Sequence, residues 1–316
     1  MKWDDRIGRR LKLRDMHVLL TVVEAGSMGK AAQRLAVSQP SVSKAVADVE
    51  HTIGVRLLDR TAHGVEPTPA GRALLRHGLG AFDELRQGVK EIELLVDPTI
   101  GEVRVGCPEA VSAGLLSASI DVFSRRYPRA TVTVTPADNM VLEFRRLRER
   151  SVDFLLGRVA EPFVEDELEA EILYHDQMYI VSSRSSTWGR RRKLDLAELI
   201  QAPWLMTPSF YGPIMAEAFQ ARGLAVPKLS VACYSTHQTI DLLATGRFVS
   251  ALSGFQLHYN ADRYGIKRLP VAFTSRSWAV AIVTLKNRTI GPVVQTFMNC
   301  VREVAKPMTK SSVAKK

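Results

Sequence analysis

The stretch GSMGKAAQRLAVSQPSVSK, residues 26–44, decides the fold of the N-terminal part of the chain. Ser27 and Ser38 each precede a run with helical periodicity, and serine is a favoured N-cap because its hydroxyl accepts a hydrogen bond from a free backbone N–H. Pro40 fits the first turn of the second helix, where its missing N–H would have had no partner. The stretch therefore predicts two short helices, 28–35 and 38–52, joined by a tight turn.

An apolar stripe predicts another helix immediately before this stretch. Met16, Leu19, Leu20 and Val23 have the i, i+3, i+4, i+7 spacing of one helix face, and Gly26 follows where a C-cap glycine belongs. The later helix has a matching buried stripe, which consists of Val42, Ala45, Val46 and Val49. These helices are thus expected to pack around one small core.

The exposed tip of the 38–52 helix points to a function. Its N-terminal residues carry short polar groups and one cation, and a helix N-terminus also offers free N–H groups and a positive dipole end to phosphate. This arrangement is typical of a helix-turn-helix, whose second helix enters the DNA major groove. For any one of these residues taken alone, the alternative remains a solvent-exposed position on an ordinary three-helix bundle.

The next segment, 55–67, alternates apolar and polar residues around a turn that contains Gly64, which predicts a short hairpin. Such a hairpin is a wing, and its tip is placed to touch the sugar-phosphate backbone. Thr68-Pro69 then begins another helix. The expected DNA contacts are Ser27, Gln39, Pro40, Ser41, Ser43, Lys44, Arg60, Thr61 and His63.

The charge distribution supports a nucleic-acid partner. The chain has 316 residues and a formal net charge of +10. Residues 1–65 hold eleven cations and seven anions, which leaves +4, and the tail 306–316 adds four lysines. The intervening 240 residues carry only +2. A basic N-terminal unit on a near-neutral body favours a nucleic-acid partner, although charge for solubility alone stays open.

These motifs resemble the LysR-type transcriptional regulators. The resemblance rests on 26–44, on the stretch GVRLLDRT at 54–61 and on TPAG at 68–71, and it is strong over 11–72. It implies a winged helix-turn-helix, a linker helix that forms dimers, and an effector-binding domain built like periplasmic binding proteins. Lys44 stands where many members carry arginine, so it keeps the phosphate charge but loses the bidentate fork for guanine.

A heptad repeat runs along the predicted helix from Thr68 to about Val96. Leu75, Phe82, Val89 and Val96 recur every seven residues, and Leu85 and Ile92 take the partner position. This spacing is the coiled-coil period, so we expect the helix to pair subunits. The resemblance extends this expectation to a tetramer. Residues 97–101, Asp97-Pro98-Thr99-Ile100-Gly101, are expected to end the helix as a hinge.

The sequence predicts an α+β multidomain protein. Residues 1–68 form the winged helix-turn-helix, 69–100 the linker helix and hinge, 101–305 an α/β effector-binding domain, and 306–316 a basic disordered tail. Strands and helices alternate over 102–305, including one long strand at 171–182, which predicts parallel sheets with helices on both faces. Two subdomains are expected, with crossovers near 160–165 and 269–272.

Ligands bind at the carboxyl ends of such strands. The polar positions there make up the expected effector site, which consists of Pro108, Glu109, Ser112, Arg158, Thr207, Ser209, Phe210, Ser235 and His237. Arg158 and two helix N-termini would suit an anionic small molecule.

Other classes of protein have less support. The sequence contains no P-loop, no G-x-S-x-G elbow and no H-E-x-x-H motif, and its histidines show no metal-ligand spacing. Neither an enzyme nor a cofactor or metal is therefore expected. Without an apolar leader or span, the expected location is the cytoplasm, with no membrane contact. Two alternatives remain: a ligand-binding protein or enzyme domain fused to a helical bundle, and a redox-sensing regulator that uses Cys107 and Cys233.

Overall fold

The computed structural model describes residues 8–61, 64–97, 99–137, 140–206, 215–273 and 275–313. The chain forms two compact units, which divide after Val89. Each unit has its own hydrophobic core and is described separately below.

The N-terminal unit has the expected helices and wing. Ser27 Oγ accepts a 3.1 Å hydrogen bond from the Lys30 N–H, and Gly26 and Gly54 end their helices at φ +69° and +87°, where glycine is favoured. The elements are α1 (Leu13–Ala25), α2 (Met28–Arg34), α3 (Gln39–Ile53), β1 (Leu58–Thr61), β2 (Gly64–Pro67) and α4 (Pro69–Val96). The helix-turn-helix and the wing predicted from the sequence are confirmed.

One core holds this unit together. Leu19, Ala31, Val42 and Leu57 are fully buried in it, and Leu75 brings α4 onto the same cluster. The small side chain of Ala31 lets α2 approach its neighbours closely. The predicted stripes of α1 and α3 therefore meet inside this unit.

The second unit alternates strands and helices as predicted. Its first half contains β3 (Ile100–Cys107), α5 (Glu109–Val111), a π-helical turn (Ser112–Leu116), α6 (Ser117–Arg126), β4 (Arg129–Pro136), α7 (Met140–Arg148), β5 (Phe154–Val159) and β6 (Leu168–Asp176). Its second half contains β7 (Met178–Ser183), a 3₁₀ turn (Leu196–Leu199), β8 (Trp204–Met206), α8 (215–220), β9 (Leu229–Ala232), α9 (Thr236–Ala244), β10 (Val249–Ser253), α10 (Gly254–Asn260), β11 (Ile266–Arg268), β12 (Trp278–Leu285) and α11 (Pro292–Val313).

Two five-stranded sheets organise the described part of this unit, in the orders β4-β3-β5-β12-β6 and β11-β7-β10-β8-β9. The prediction of parallel sheets is confirmed for β3 with β4 and β5, and for β8 with β9 and β10. It is wrong for two strands, because β12 runs antiparallel to β5 and β6, and β7 runs antiparallel to β10 and β11. The chain passes between the sheets twice, and the strand that it enters after each passage, first β7 and then β12, runs antiparallel to its neighbours in that sheet.

The first crossover lies at Gln177, not near 160–165. Residues 168–176 still pair with β12 in the first sheet, whereas 178–183 pair with β10 in the second. The predicted strand 171–182 is therefore two strands in different sheets. The return falls between Arg268 and Trp278, a segment that includes the predicted 269–272.

Both faces of each sheet are buried. In β12, Val280 and Ile282 face one core while Ala279, Ala281 and Val283 face another. Because side chains on both faces of β12 are buried, the strand has a continuous apolar sequence. Helices thus cover both faces, as predicted.

The C-terminal segment differs from expectation. The sequence predicts disorder from 306, but α11 continues to Val313 and contains Pro307. Met308 packs against the core of the first sheet, which anchors this last part of the helix. The prediction of a disordered tail is therefore wrong for 306–313. Among the described residues, none of the helices combines the length and apolarity needed for a membrane span.

Candidate nucleic-acid interface and ligand cleft

The exposed tip of α3 is built by its N-cap. Ser38 Oγ accepts a weak 3.4 Å hydrogen bond from the Ser41 N–H and lies 2.8 Å from Ser41 Oγ. Gln39, Pro40 and Lys44 are exposed around this cap, and Ser43 is half-buried. Short polar groups therefore surround a helix N-terminus that has free N–H groups, which is the chemistry expected of a helix end that reads base edges.

Gln39 lies over the preceding helix. A Cβ atom at Gly29 would stand 3.7 Å from Gln39 Oε1, so the glutamine amide lies beside α2. Ser27, by contrast, accepts a hydrogen bond from the Lys30 N–H at the start of α2. This bond makes Ser27 a helix N-cap in the chain without DNA. Gln39 is thus positioned by both helices of the motif.

The wing is attached to the turn between α1 and α2. Thr61 Oγ1 donates to the Gly64 carbonyl at 3.4 Å near the wing tip, and the Val65 N–H donates to the Gly26 carbonyl at 2.9 Å. The backbone of Arg60 lies in β1, while its side chain and the whole of His63 fall outside the described residues.

The TPAG segment joins the wing to α4. Thr68 Oγ1 accepts the Gly71 N–H at 3.0 Å and donates to the Arg56 carbonyl at 2.9 Å. A Cβ atom at Gly71 would lie 2.0 Å from the Leu57 carbonyl oxygen, so only glycine fits without a shift. This segment thus fixes where the long helix begins.

A cleft in the second unit is flanked by both sheets. Its empty space, including the open mouth, is about 460 Å³, which suits a small molecule. The lining residues are mostly small, apolar or hydroxyl-bearing: Ala110, Arg158, Met178, Met206, Thr236, Thr239, Ser250, Ala251, Leu252 and Gln256.

Arg158 is the charged residue of this lining, and its positive charge is compensated by a neighbouring carboxylate. Its Nη2 lies 3.4 Å from Asp176 Oδ2, and its guanidinium stacks 5.0 Å from the Trp278 ring centre. Asp176 also accepts the Gly254 N–H at 2.9 Å. Burial raises the pKa of Asp176, while Arg158 and these hydrogen bonds oppose the rise.

A carboxylate caps the N-terminus of α9. Glu109 Oε1 accepts hydrogen bonds from Ser235 Oγ at 3.0 Å and from the Thr236 N–H at 2.9 Å. Glu109 follows β3 of the first sheet, and Ser235 follows β9 of the second. The bond therefore links the two subdomains beside the cleft.

The structure brings together part of the predicted effector site. Arg158 lines the cleft, and Glu109 meets Ser235 at its margin. Pro108 and Ser112 are absent from the lining given by the described residues, and the exposed His237 pairs instead with Asp241 at 3.3 Å. Thr207, Ser209 and Phe210 lie outside the described residues.

Sequence reasoning missed Ser250, Thr239 and Gln256. Ser250 stands in the otherwise apolar run Phe248-Val249-Ser250-Ala251-Leu252, and a lone hydroxyl in a buried strand is a signal that could have found it. Thr239 lies one turn into α9, and Gln256 belongs to α10, a helix that the sequence analysis did not predict.

Two family models match this chain. The model described as "LysR substrate binding domain" matches residues 97–306, and the model described as "Bacterial regulatory helix-turn-helix protein, lysR family" matches residues 13–72. The chain is a LysR-type transcriptional regulator.

Relatives and solved structures align with most of its length. The HTH-type transcriptional regulator TdcA of Escherichia coli (strain K12) is 31% identical over 221 residues, which make up 69% of this chain and 70% of TdcA. Full-length LysG from Corynebacterium glutamicum, solved with bound effector Arg, aligns with a TM-score of 0.64 at 16% identity and covers 94% of this chain and 99% of that one. A full-length OxyR variant from Pseudomonas aeruginosa gives 0.58 at 20% identity, with coverages of 94% and 98%.

The heptad positions of this LysR-type regulator divide between two environments. Leu75 is buried in the N-terminal core, and Phe82 packs on it with its ring 5.9 Å from that of His17. Val89 and Ile92 are 56% and 63% exposed. Leu75 and Phe82 of the predicted seam thus pack inside the N-terminal unit, whereas the later positions Val89 and Ile92 stay exposed.

The two cysteines of the redox-sensing alternative, Cys107 and Cys233, belong to separate cores. Cys107 packs in a core of the first sheet, Cys233 in a core of the second, and both are buried. Burial raises the pKa of the Cys107 thiol, which keeps it protonated and unreactive. This placement argues against the redox-sensing alternative.

Proposed function

We propose that this regulator binds a two-fold-symmetric operator as a homodimer, with one α3 tip in each of two successive major grooves. The exposed polar cap of α3 carries the proposal, since Gln39 and Lys44 are held there by a closed Ser38–Ser41 cap. Gln39 is proposed to read base edges, while Lys44, Ser27 and Thr61 are proposed to contact the sugar-phosphate backbone of the DNA. The remaining proposed contacts are Pro40, Ser41, Ser43, Arg60 and His63.

The dimer is proposed to form through the exposed half of α4. Val89 and Ile92 lie three residues apart and offer an apolar stripe for a second helix. A two-fold axis places the two readers about 34–36 Å, or one DNA turn, apart. Two such dimers would form a tetramer.

The cleft is proposed to bind the small-molecule effector, as the bound Arg in the LysG structure suggests by analogy. Arg158, Thr239 and Gln256 are assigned to ligand contact because they line it. Regulation, not catalysis, is the proposed activity. Because chromosomal DNA is the partner, the cytoplasm is the proposed location.

Gel-shift titration tests the DNA assignment. An operator is first selected from random duplexes, and wild type, Gln39→Ala and the control Gln33→Ala are titrated on operator and random DNA. Gln33 is exposed on α2, outside the proposed contact set. We expect Gln39→Ala to lose about 1–3 kcal/mol on the operator and almost nothing on random DNA. Equal losses on both duplexes would refute base reading by Gln39.

A salt series on the same duplexes tests Lys44. We expect Lys44→Ala to reduce the slope of log affinity against log salt by about 1, because one phosphate contact releases about one counterion. An unchanged slope would remove Lys44 from the proposed interface.

A further inference from the structure

Glu109 occupies a position that favours a carboxylate. The N-terminus of a helix carries free N–H groups and a partial positive charge, and α9, with nine residues, is long enough to have both. Glu109 supplies the negative group: its Oε1 accepts both the Thr236 N–H and the Ser235 hydroxyl. The chain thus places its own carboxylate where an anionic ligand would bind.

The second positive group of the cleft also has its own carboxylate. Arg158 faces Asp176, whose side chain is only 4% exposed and is held by the Gly254 N–H at 2.9 Å. An anion that approached Arg158 would meet Asp176 beside it. Because the two charges compensate each other, this wall offers little attraction to a charged ligand of either sign.

Ser250 provides an independent indication of a ligand. It lines the same cleft, its residue is fully buried, and its Oγ has no hydrogen-bond partner among the described residues. A buried hydroxyl without a partner is costly, so such groups are retained where something else satisfies them. The cleft therefore holds a hydroxyl suited to an uncharged polar group, in a lining that also includes the apolar residues Met178 and Leu252.

We propose that Glu109 determines the specificity of the cleft by filling its carboxylate position, so that the effector is a small uncharged molecule that hydrogen-bonds Ser250. This inference rests on the proposed function, because it takes the cleft as the effector site. Its tests use the full-length chain without DNA, so they give an answer independent of the gel shifts. If the chain passes these tests but binds no DNA, the proposed DNA-binding function is refuted and the inference about the cleft still holds.

The first test vacates the carboxylate position. Thermal unfolding of wild type, Glu109→Ala and Glu109→Gln is followed with sodium acetate or acetamide at pH 7.5 and constant ionic strength. Because Glu109→Ala exposes the start of α9, acetate is expected to raise its melting temperature, with an affinity roughly 10–100-fold above that of wild type. Acetamide, which carries no charge, is not expected to do so.

Glu109→Gln is the matched control, since its amide oxygen still accepts both hydrogen bonds and its side chain still fills the space. It should gain no response to acetate. Glu109→Ser serves as a second short variant and should respond as alanine does. If acetate binds wild type as tightly as the two short variants, or binds none of the three, the proposal is wrong.

The second test concerns Ser250 in the ligand-free chain. Ser250→Ala removes a buried hydroxyl that has no partner, so it should raise the melting temperature. Ser182→Ala, on the adjacent strand β7, is the control: Ser182 is equally buried but donates to the Phe248 carbonyl at 2.7 Å. Its loss should lower the melting temperature. A drop in both variants would show that Ser250 is already satisfied and would overturn its assignment.

The third test addresses the ligand class. Wild type is titrated calorimetrically with matched acid and amide pairs, namely benzoate with benzamide and succinate with succinamide. We expect no acid to bind more tightly than its amide. An acid that does so by tenfold or more would overturn the exclusion of anions.

Discussion

The Val65 N–H donates a 2.9 Å hydrogen bond to the carbonyl oxygen of Gly26, which ties the wing to the turn between α1 and α2. Gly64, the residue before Val65, adopts φ +137°, and a Cβ atom there would lie 2.3 Å from the same carbonyl oxygen. Wing and helix-turn-helix are thus held in register at a point that tolerates no side chain.

Gly64→Ala should therefore displace the wing. We expect it to lower the unfolding free energy by roughly 3 kcal/mol through backbone strain and overlap, and to weaken DNA binding. Gly54→Ala is the control, because Gly54 has φ +87° but no atom within 4 Å of the added Cβ, so only the strain of about 1–2 kcal/mol applies. Urea denaturation of both variants measures the difference, and equal losses would contradict the close approach.

Two glycines of α4 should respond in opposite directions to the same substitution. Gly71→Ala places a Cβ atom 2.0 Å from the Leu57 carbonyl, so we expect a loss of about 2–3 kcal/mol. Gly88→Ala meets no atom within 4 Å and should gain about 0.5–1 kcal/mol from helix propensity. Thermal unfolding separates the two, and similar behaviour of both variants would count against the packing described here.

The exposed half of α4 should control assembly. We expect Val89→Asp to shift the chain from dimer to monomer by light scattering while its helical circular dichroism is retained, because Val89 is 56% exposed. Phe82→Asp should instead destabilise the N-terminal unit by roughly 2–3 kcal/mol, since Phe82 packs on that core. A Val89→Asp chain that remains dimeric would place the subunit interface elsewhere.

Asp176 should make stability depend on pH. Burial raises its pKa above the ordinary value of 3.8, so the folded chain holds this proton more tightly than the unfolded chain. Its contribution to the unfolding free energy is therefore fully present below pH 3.8 and is lost as the pH rises through the folded pKa. The difference in unfolding free energy between wild type and Asp176→Asn should fall over this window. A difference that grows with pH would show that folding lowers the pKa of Asp176 instead of raising it.

Local interactions made the N-terminal unit predictable from sequence. The Ser27 cap, the Gly26 terminus and the stripes of α1 and α3 each involve residues within a few positions of one another. Because such contacts join residues that are close in sequence, the order of side chains predicts them. The helix-turn-helix, its polar tip and the capped start of α4 therefore follow from the sequence. The alternation of strands and helices in the second unit follows for the same reason.

Tertiary structure decided what depends on distant partners. Glu109 meets Thr236 across 127 positions, and the crossover at Gln177 depends on β6 pairing with β12 more than 100 residues later. The heptad of α4 is uniform in sequence, yet packing gives Leu75 to the N-terminal core and leaves Val89 exposed. A periodic pattern states which side chains are apolar but not which surface covers them, because that depends on how separate elements come together. The local sequence thus determined the DNA-binding motif, while the packing of the two sheets decided the ligand cleft.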